Sequence, residues 1–332
     1  MFVYYAKFNI NSNVEELKKD KSKLENILGE LAHELDTKPQ EYVFENEISY
    51  YVNQDEFDEN GNEIKKKILE IDTYRFINTK RLKEDHGDII IGDLMREKPD
   101  TIKIYNNKTQ KIETSGISRR VFSTTFIFDL RSEIIAFTER QGMGKNQFIK
   151  AFEELTKTIL EDKAIKIILK QNSENFEERV RELTRVNQIN VEIISPNFVD
   201  KELDEIEKEA KEIGEKMDEQ NITKMEYYIE TSEENNKGID LEGEYAKEVL
   251  HKFSVMGFLG YSKAVITGFI GKHAKTVKSE KDTPLVTSIS YEDRENTEYF
   301  KDHVLNAITG EAIKQTVKNQ KNSTKVQKKS DS

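Results

Sequence analysis

The sequence predicts an α+β fold: a β-rich N-terminal part with one helix, then a mixed sheet with alternating helices packed on it. Three observations point there. Residues 42–52 and 64–77 (YVFENEISYYV and IKKKILEIDTYRFI) are rich in β-branched and aromatic residues. From residue 121 to 308, strand-like and helix-like segments of ordinary length alternate. The 332-residue chain carries 17 Phe and 13 Tyr, enough to build a core although 35% of its residues are charged.

The opening MFVYYAKFNI reads as a strand with Phe2, Tyr4, Ala6, Phe8 and Ile10 on one face. It has no basic region followed by an apolar core, so it is not read as a signal peptide. Asn13 to Asp36 is a helix, with Leu17, Leu24, Leu28, Leu31 and Leu35 at helical spacing and Pro39 beyond its end. The segment DEFDENGNEI between the next two strands looks like a calcium loop. Placing Gly61 sixth puts Glu56 first and Lys67 twelfth, where the loop requires Asp and a bidentate Glu. The segment is therefore read as a hairpin loop turning at Asn60-Gly61. DIIIGDLM (88–95) and TIKIYN (101–106) suggest another strand pair, and NKTQKIETSGISRR (107–120) a polar loop or linker. A domain boundary is placed there, giving domains 1–120 and 121–310.

In the second part, 121–130 and 133–139 read as a hairpin. Asn146–Asp162 is a helix with Phe148, Phe152, Leu155 and Ile159 inward. Strands at 164–170, 189–195 and 222–231 alternate with helices at 174–185 and 200–219. Leu241–Met256 is a helix that Gly257 is placed to end. YSKAVITGFIG (261–271) and PLVTSISYE (284–292) suggest a final strand pair, and 297–308 a last helix. Residues 311–332 hold six Lys against one Glu and one Asp, which reads as a basic, frayed tail.

Composition narrows the function classes. The absence of Cys excludes disulfides, thiolate metal sites and a cysteine nucleophile, and fits a reducing cytoplasm. No run approaches the roughly 18 apolar residues of a membrane span, so no membrane association is expected. The net charge of −11 argues against broad non-specific nucleic-acid binding unless positive charge is gathered on one face. Rich Lys, Asn and Ile usage without Trp suggests an AT-rich bacterial genome or its phage.

ERQGMGKNQF (139–148) lies between a strand and a helix, as a phosphate-binding loop does. That loop requires Gly-x-x-x-x-Gly-Lys-Ser/Thr. Here Glu139 stands at the first glycine and Asn146 at the hydroxyl. A dinucleotide fingerprint fails too, because Gln147 stands at its third glycine. The stretch is read as a glycine turn, with an anion site at the helix N-terminus as the alternative. His33, His86, His251, His273 and His303 are scattered without ligand spacing. No cofactor or metal is expected, and the catalytic residues, if there are any, are unknown. Asp129 and Glu133 flank a hairpin and could hold magnesium in a nuclease, but Ile135 stands where the lysine of that motif belongs. Leu203, Ile206, Ala210, Ile213 and Met217 form a seam about two heptads long, too short to establish a coiled coil. It suits packing on the sheet, with a homodimer helix as the alternative.

Basic clusters are the remaining functional signal. Lys80-Arg81, Arg119-Arg120, the group Arg179, Arg181 and Arg185, and KHAKTVK with Lys272, Lys275 and Lys278 all fall in predicted loops, beside them or on an exposed helix face. Convergence of Arg119-Arg120 with KHAKTVK would make a site for a phosphate backbone.

SRRVFSTTFIFDLRSEIIAFTERQGMGKNQFIKAFEEL and AIKIILKQNSENFEERVRELTRVNQINVEIISPNFVDKELDEIEKE resemble an uncharacterised bacterial domain family of unknown function. The resemblance covers about residues 88–305, from DIIIGDLMREKPD to the Gly257–Gly271 strand. Members of that family are often encoded near restriction and other phage-defence genes. A fainter likeness in layout is to the phage Rex exclusion protein, which binds DNA. Neither likeness carries catalytic residues over. They imply a non-enzymatic, cytoplasmic phage-defence or exclusion-type protein that binds nucleic acid or a partner protein. The alternatives are a metal-dependent nuclease and a dimerising structural component of a defence complex.

Overall fold

The first strand, β1 (Phe2–Ile10), is apolar on both faces, so it must lie inside a sheet that is covered on both sides. In the computed structural model this is its position. The structure describes residues 1–11, 17, 21–57, 63–84, 87–106, 110–161, 163–196, 205–232 and 237–309. One edge of β1 pairs with β6 (Ile134–Thr138). The other edge is shared end to end by β12 (Val286–Ser288) and β7 (Ile165–Leu169). Beyond β6 the sheet continues through β5 (Lys111–Asp129), β4 (Gly87–Asn106), β3 (Glu63–Glu84) and β2 (Phe44–Phe57).

The two faces of β1 feed two cores. Tyr4, Ala6, Phe8 and Ile10 pack with Leu24, Leu28, Leu31 and Leu35 of helix α1 (Lys21–Thr37) and with Phe148, Phe152 and Leu155 of α2 (Lys145–Ile159). Phe152 meets Phe76, Phe126 and Phe128 edge-on, with ring centroids 4.9, 5.1 and 6.2 Å away. Val3 and Tyr5 face the other way, onto Ile89, Ile127 and Ala136 and onto Phe300 and Val304 of the last helix (Thr297–Thr309).

A smaller sheet follows, in the order β11 (His273–Lys278), β10 (Ser262–Ile270), β8 (Arg185–Ile194), β9 (Lys224–Glu230). One face packs on α3 (Ser173–Arg181), α4 (Glu205–Asp218) and α5 (Glu244–Leu259) through Phe176, Val180, Ala210, Met217, Phe253 and Met256. Ile168 of β7 joins this core, so β7 links the two sheets. Two short helices, α6 (Ser279–Asp282) and α7 (Tyr291–Glu295), precede the last helix, α8. The seam on α4 is used within the chain: Ala210 and Met217 are buried, and Ile206 and Ile213 pack against the same core. Leu203 lies outside the described residues.

The fold is α+β, with several differences from the expectations at the level of elements. Every strand pairing among the described residues is antiparallel, so neither sheet is mixed. Residues 88–95 and 101–106 are not a pair but one strand, β4, which runs through Pro99. Residues 111–120, expected as a loop, belong to β5, which passes through residue 120 without a break. β10 pairs with β11, not with 284–292, whose Val286–Ser288 joins β1 instead. α5 runs past Gly257 and is capped by Gly260 at φ 86°, which donates its N–H to the carbonyls of Gly257 and Met256. The Asn60-Gly61 turn and the 311–332 tail lie outside the described residues.

β3 changes partner along its length. It pairs with β2 from Glu63 to Tyr74 and with β4 from Thr73 to Glu84. β4 continues with β5 as far as Asn106–Lys111. Among the described residues, no pairing joins β3 before Thr73 to β4 after Glu97. Two two-stranded ribbons therefore extend from the body of the sheet.

Candidate nucleic-acid interface

The glycine turn is closed by the chain's own groups. Arg140 and Met143 exchange backbone hydrogen bonds of 3.2 and 2.9 Å around Gly142, whose φ of 82° suits glycine. Arg96 donates to the Gly142 carbonyl and is itself paired with the fully buried Asp72, Nη2 to Oδ2 at 2.6 Å. Glu139 accepts from the Lys145 backbone N–H at 2.9 Å and from the Tyr4 hydroxyl at 2.8 Å. The Gly144 N–H donates to the Gln147 side chain at 3.1 Å. A phosphate at the start of α2 would have to displace a carboxylate already seated there. Burial, with Glu139 beside it, pushes the Tyr4 hydroxyl up to about 12. Lys145 donates to the Lys281 carbonyl at 2.8 Å, and burial pulls its ammonium below the usual lysine range.

Asp129 and Glu133 are likewise engaged. Asp129 accepts from Ser132 Oγ at 2.5 Å and from the Arg131 N–H at 3.2 Å, which tightens the hairpin turn. Glu133 pairs with Lys7 at 2.8 Å, and Lys7 also donates to the Ser132 carbonyl at 2.8 Å. Burial opposes the Lys7 charge, but Glu133 and Tyr261 outweigh it and hold the ammonium above the usual range. Burial pushes Tyr261 up to about 12. Among the described residues no group of three or more His, Asp or Glu could hold a metal ion.

The basic residues fall into three places. Lys80 and Arg81 lie on β3, where Arg81 grips Asp88 with Nε at 2.8 Å and Nη2 at 2.6 Å. Arg119 and Arg120 lie exposed on β5 opposite Pro99 and Lys98, and Arg119 pairs with Glu97 at 2.9 Å. The register puts Arg120 beside Lys98 and Lys80 beside Ile91, roughly 23 Å apart along β4. Lys272, Lys275 and Lys278 are exposed in the β10–β11 hairpin of the smaller sheet. KHAKTVK is thus an edge strand, not a loop, and Lys275 and Lys278 point to opposite faces of it.

The structure does bring two of the clusters together. The Thr184 N–H donates to the Phe269 carbonyl at 2.8 Å, and the Gly271 N–H donates to Thr184 Oγ1 at 3.0 Å. These bonds fasten the α3–β8 junction to the β10–β11 turn. Arg179, Arg181 and Arg185 therefore share one corner of the molecule with Lys272. The Arg185 guanidinium stacks 4.3 Å from the centre of the Phe269 ring. Phe269 was not a candidate on sequence grounds. Its only signal is its place in an alternating strand next to a glycine turn.

The second face of the smaller sheet is solvent-facing, since the residues of β9 alternate between half-buried and exposed. Across this face Glu192 contacts Lys224 at 3.1 Å and Lys263 at 3.3 Å. Burial raises the Glu192 carboxyl, but the two lysines outweigh it and hold it below the usual range. Among the described residues, no helix is long and apolar enough to cross a membrane. No curated protein matches the chain. A family model matches residues 1–309, and on that match the chain belongs to the family described as a domain of unknown function (DUF4747).

Proposed function

We propose that the protein is a non-enzymatic, cytoplasmic component of a bacterial phage-defence system that binds nucleic acid. The observation that carries this reading is the basic corner, where the Thr184 bonds bring the end of α3 and the start of β8, with Arg179, Arg181 and Arg185, to the β10–β11 turn that carries Lys272. Gathered cations can engage phosphates although the whole chain is acidic. The resemblance to a family encoded beside defence genes, and the likeness in layout to the Rex exclusion protein, support the setting. Fluorescence anisotropy with labelled oligonucleotides tests the binding. Affinity is expected to fall steeply between about 50 and 200 mM salt, and changing Lys272, Lys275 and Arg179 to Ala is expected to weaken it. Absence of binding at low salt overturns the reading. Loss of protection in a plaque assay with the same triple variant tests the defence role.

A second reading, docking of a second copy, rests on the two ribbons. β3 before Thr73 and β4 after Glu97 each present an edge with no partner strand among the described residues. Light scattering tests it: a dimer supports pairing along these edges, and a strict monomer at high concentration removes it.

A further inference from the structure

Residues directly opposite one another in an antiparallel pair share a face. The register therefore identifies what the open face of the smaller sheet presents. Tyr228 of β9 lies beside Asn190 of β8, which lies beside Val265 of β10 and then Lys278 of β11. Past a register shift at Thr267/Gly268, Phe269 comes onto the same face opposite Arg185. Two aromatic rings therefore sit on one open sheet face. Tyr228 is 55% exposed, so its ring is accessible from solvent on this face.

The Tyr228 ring is also held in place. Its hydroxyl donates to Glu230 at 2.9 Å and accepts from Gln188 Nε2 at 2.8 Å. The face carries charge of both signs. Glu226 and Glu230 lie on β9 with Lys224, Arg185 on β8 opposite Phe269, and Lys263 and Lys278 on β10 and β11. Glu192, in the middle, is offset by Lys224 and Lys263. From Arg185 to Asn190 is roughly 16 Å of strand, so the two rings would take different bases.

We propose that this face binds single-stranded nucleic acid, with the phosphates along the β10–β11 side and bases stacked on Tyr228 and Phe269. This deepens the nucleic-acid reading above and rests on it. Aromatic platforms beside a cationic track are the means by which proteins hold single strands without reading sequence. A paired duplex keeps its bases stacked on one another and cannot use the rings.

The test compares a labelled thymidine 20-mer, a uridine 20-mer and a duplex of the same length, with the wild-type chain and with Tyr228→Ala, Phe269→Ala and Tyr228→Phe. The single strands are expected to bind more tightly than the duplex. Tyr228→Ala is expected to weaken single-strand binding about tenfold, with duplex binding and salt slope unchanged. Tyr228→Phe keeps the ring and should retain the affinity, which separates stacking from a role of the hydroxyl. Tyr228 is exposed, so its Ala variant serves as the deciding one should Phe269→Ala fail to fold. Equal binding of strand and duplex, with Tyr228→Ala matching wild type, overturns the stacking site and leaves the basic corner standing. No binding of any oligonucleotide at low salt overturns both. Preference for the thymidine or the uridine strand assigns the source as DNA or RNA.

Discussion

The two sheets differ in how their charge is used. The large sheet is covered on both faces around β1, and several charged side chains there are turned inward onto partners: Arg96 on Asp72, Lys7 on Glu133, Glu139 on the start of α2. The smaller sheet packs on helices through one face, and its other face presents Lys278 and Tyr228, both exposed. Charge spent on internal partners builds architecture, while charge left at an open face is available to a ligand. The candidate interface therefore belongs to the smaller sheet, although the most conspicuous motif, the glycine turn, belongs to the larger one.

Changes that unbalance the covered sheet should cost most. Asp72→Ala leaves the buried Arg96 without its counter-ion and is expected to destabilise the fold by about 3–5 kcal/mol, read from the denaturant midpoint. A cost below about 1 kcal/mol would break the contrast between the sheets. Gly260→Ala comes next. Its φ is 86°, and an added Cβ would stand 2.4 Å from the Lys7 Cβ, so a loss of about 2–3 kcal/mol is expected.

The Arg81–Asp88 pair is more exposed and should give a smaller, pH-dependent effect. Its hydrogen bonds to Arg81 hold the Asp88 carboxyl below the usual range. Its contribution is thus present above the ordinary aspartate value of about 4, and is lost as pH falls through the lowered one. Arg81→Ala should flatten the stability profile across that acidic window by at most about 1 kcal/mol. A profile unchanged by the substitution would show that the pair contributes nothing. Smallest of all, Tyr228→Ala should shift unfolding stability by less than about 0.5 kcal/mol, because the side chain is largely exposed. A larger loss would reassign Tyr228 from ligand platform to core.

Much of the covered sheet was legible in the sequence. The Leu17–Leu35 spacing, the Phe148–Phe152–Leu155 face and the apolar first strand each signal an element, because burial imposes a period on apolar residues. In the sequence β4 reads as two strands, 88–95 and 101–106, with Pro99 between them. Among the described residues β4 has no β3 partner from Lys98 onward, and such an edge tolerates proline. β11 is not legible in the sequence, because only Val277 of its six residues is buried and KHAKTVK shows charge without alternation. The glycine turn departs from a nucleotide loop at Glu139 and Asn146, and in the structure the Glu139 carboxylate accepts from the Lys145 N–H at the start of α2. Convergence of Arg119-Arg120 with KHAKTVK could not be judged from sequence. The junction at Thr184, which joins a different pair of clusters, depends on one backbone bond and one bond to the Thr184 hydroxyl that no motif encodes.

The partners of β1 have a consequence for how the chain is made. Tyr5 bonds through its hydroxyl to Thr287 at 2.6 Å, 282 residues further along. A ribosome adding roughly 5–20 residues per second needs about a quarter-minute to a minute to cover that span. During that time Val3 and Tyr5, destined for the face sealed by Phe300 and Val304, have no cover. β1 is thus made long before the residues that enclose it. A chain that stalls before residue 286 carries an open apolar strand and is a substrate for chaperones or for aggregation.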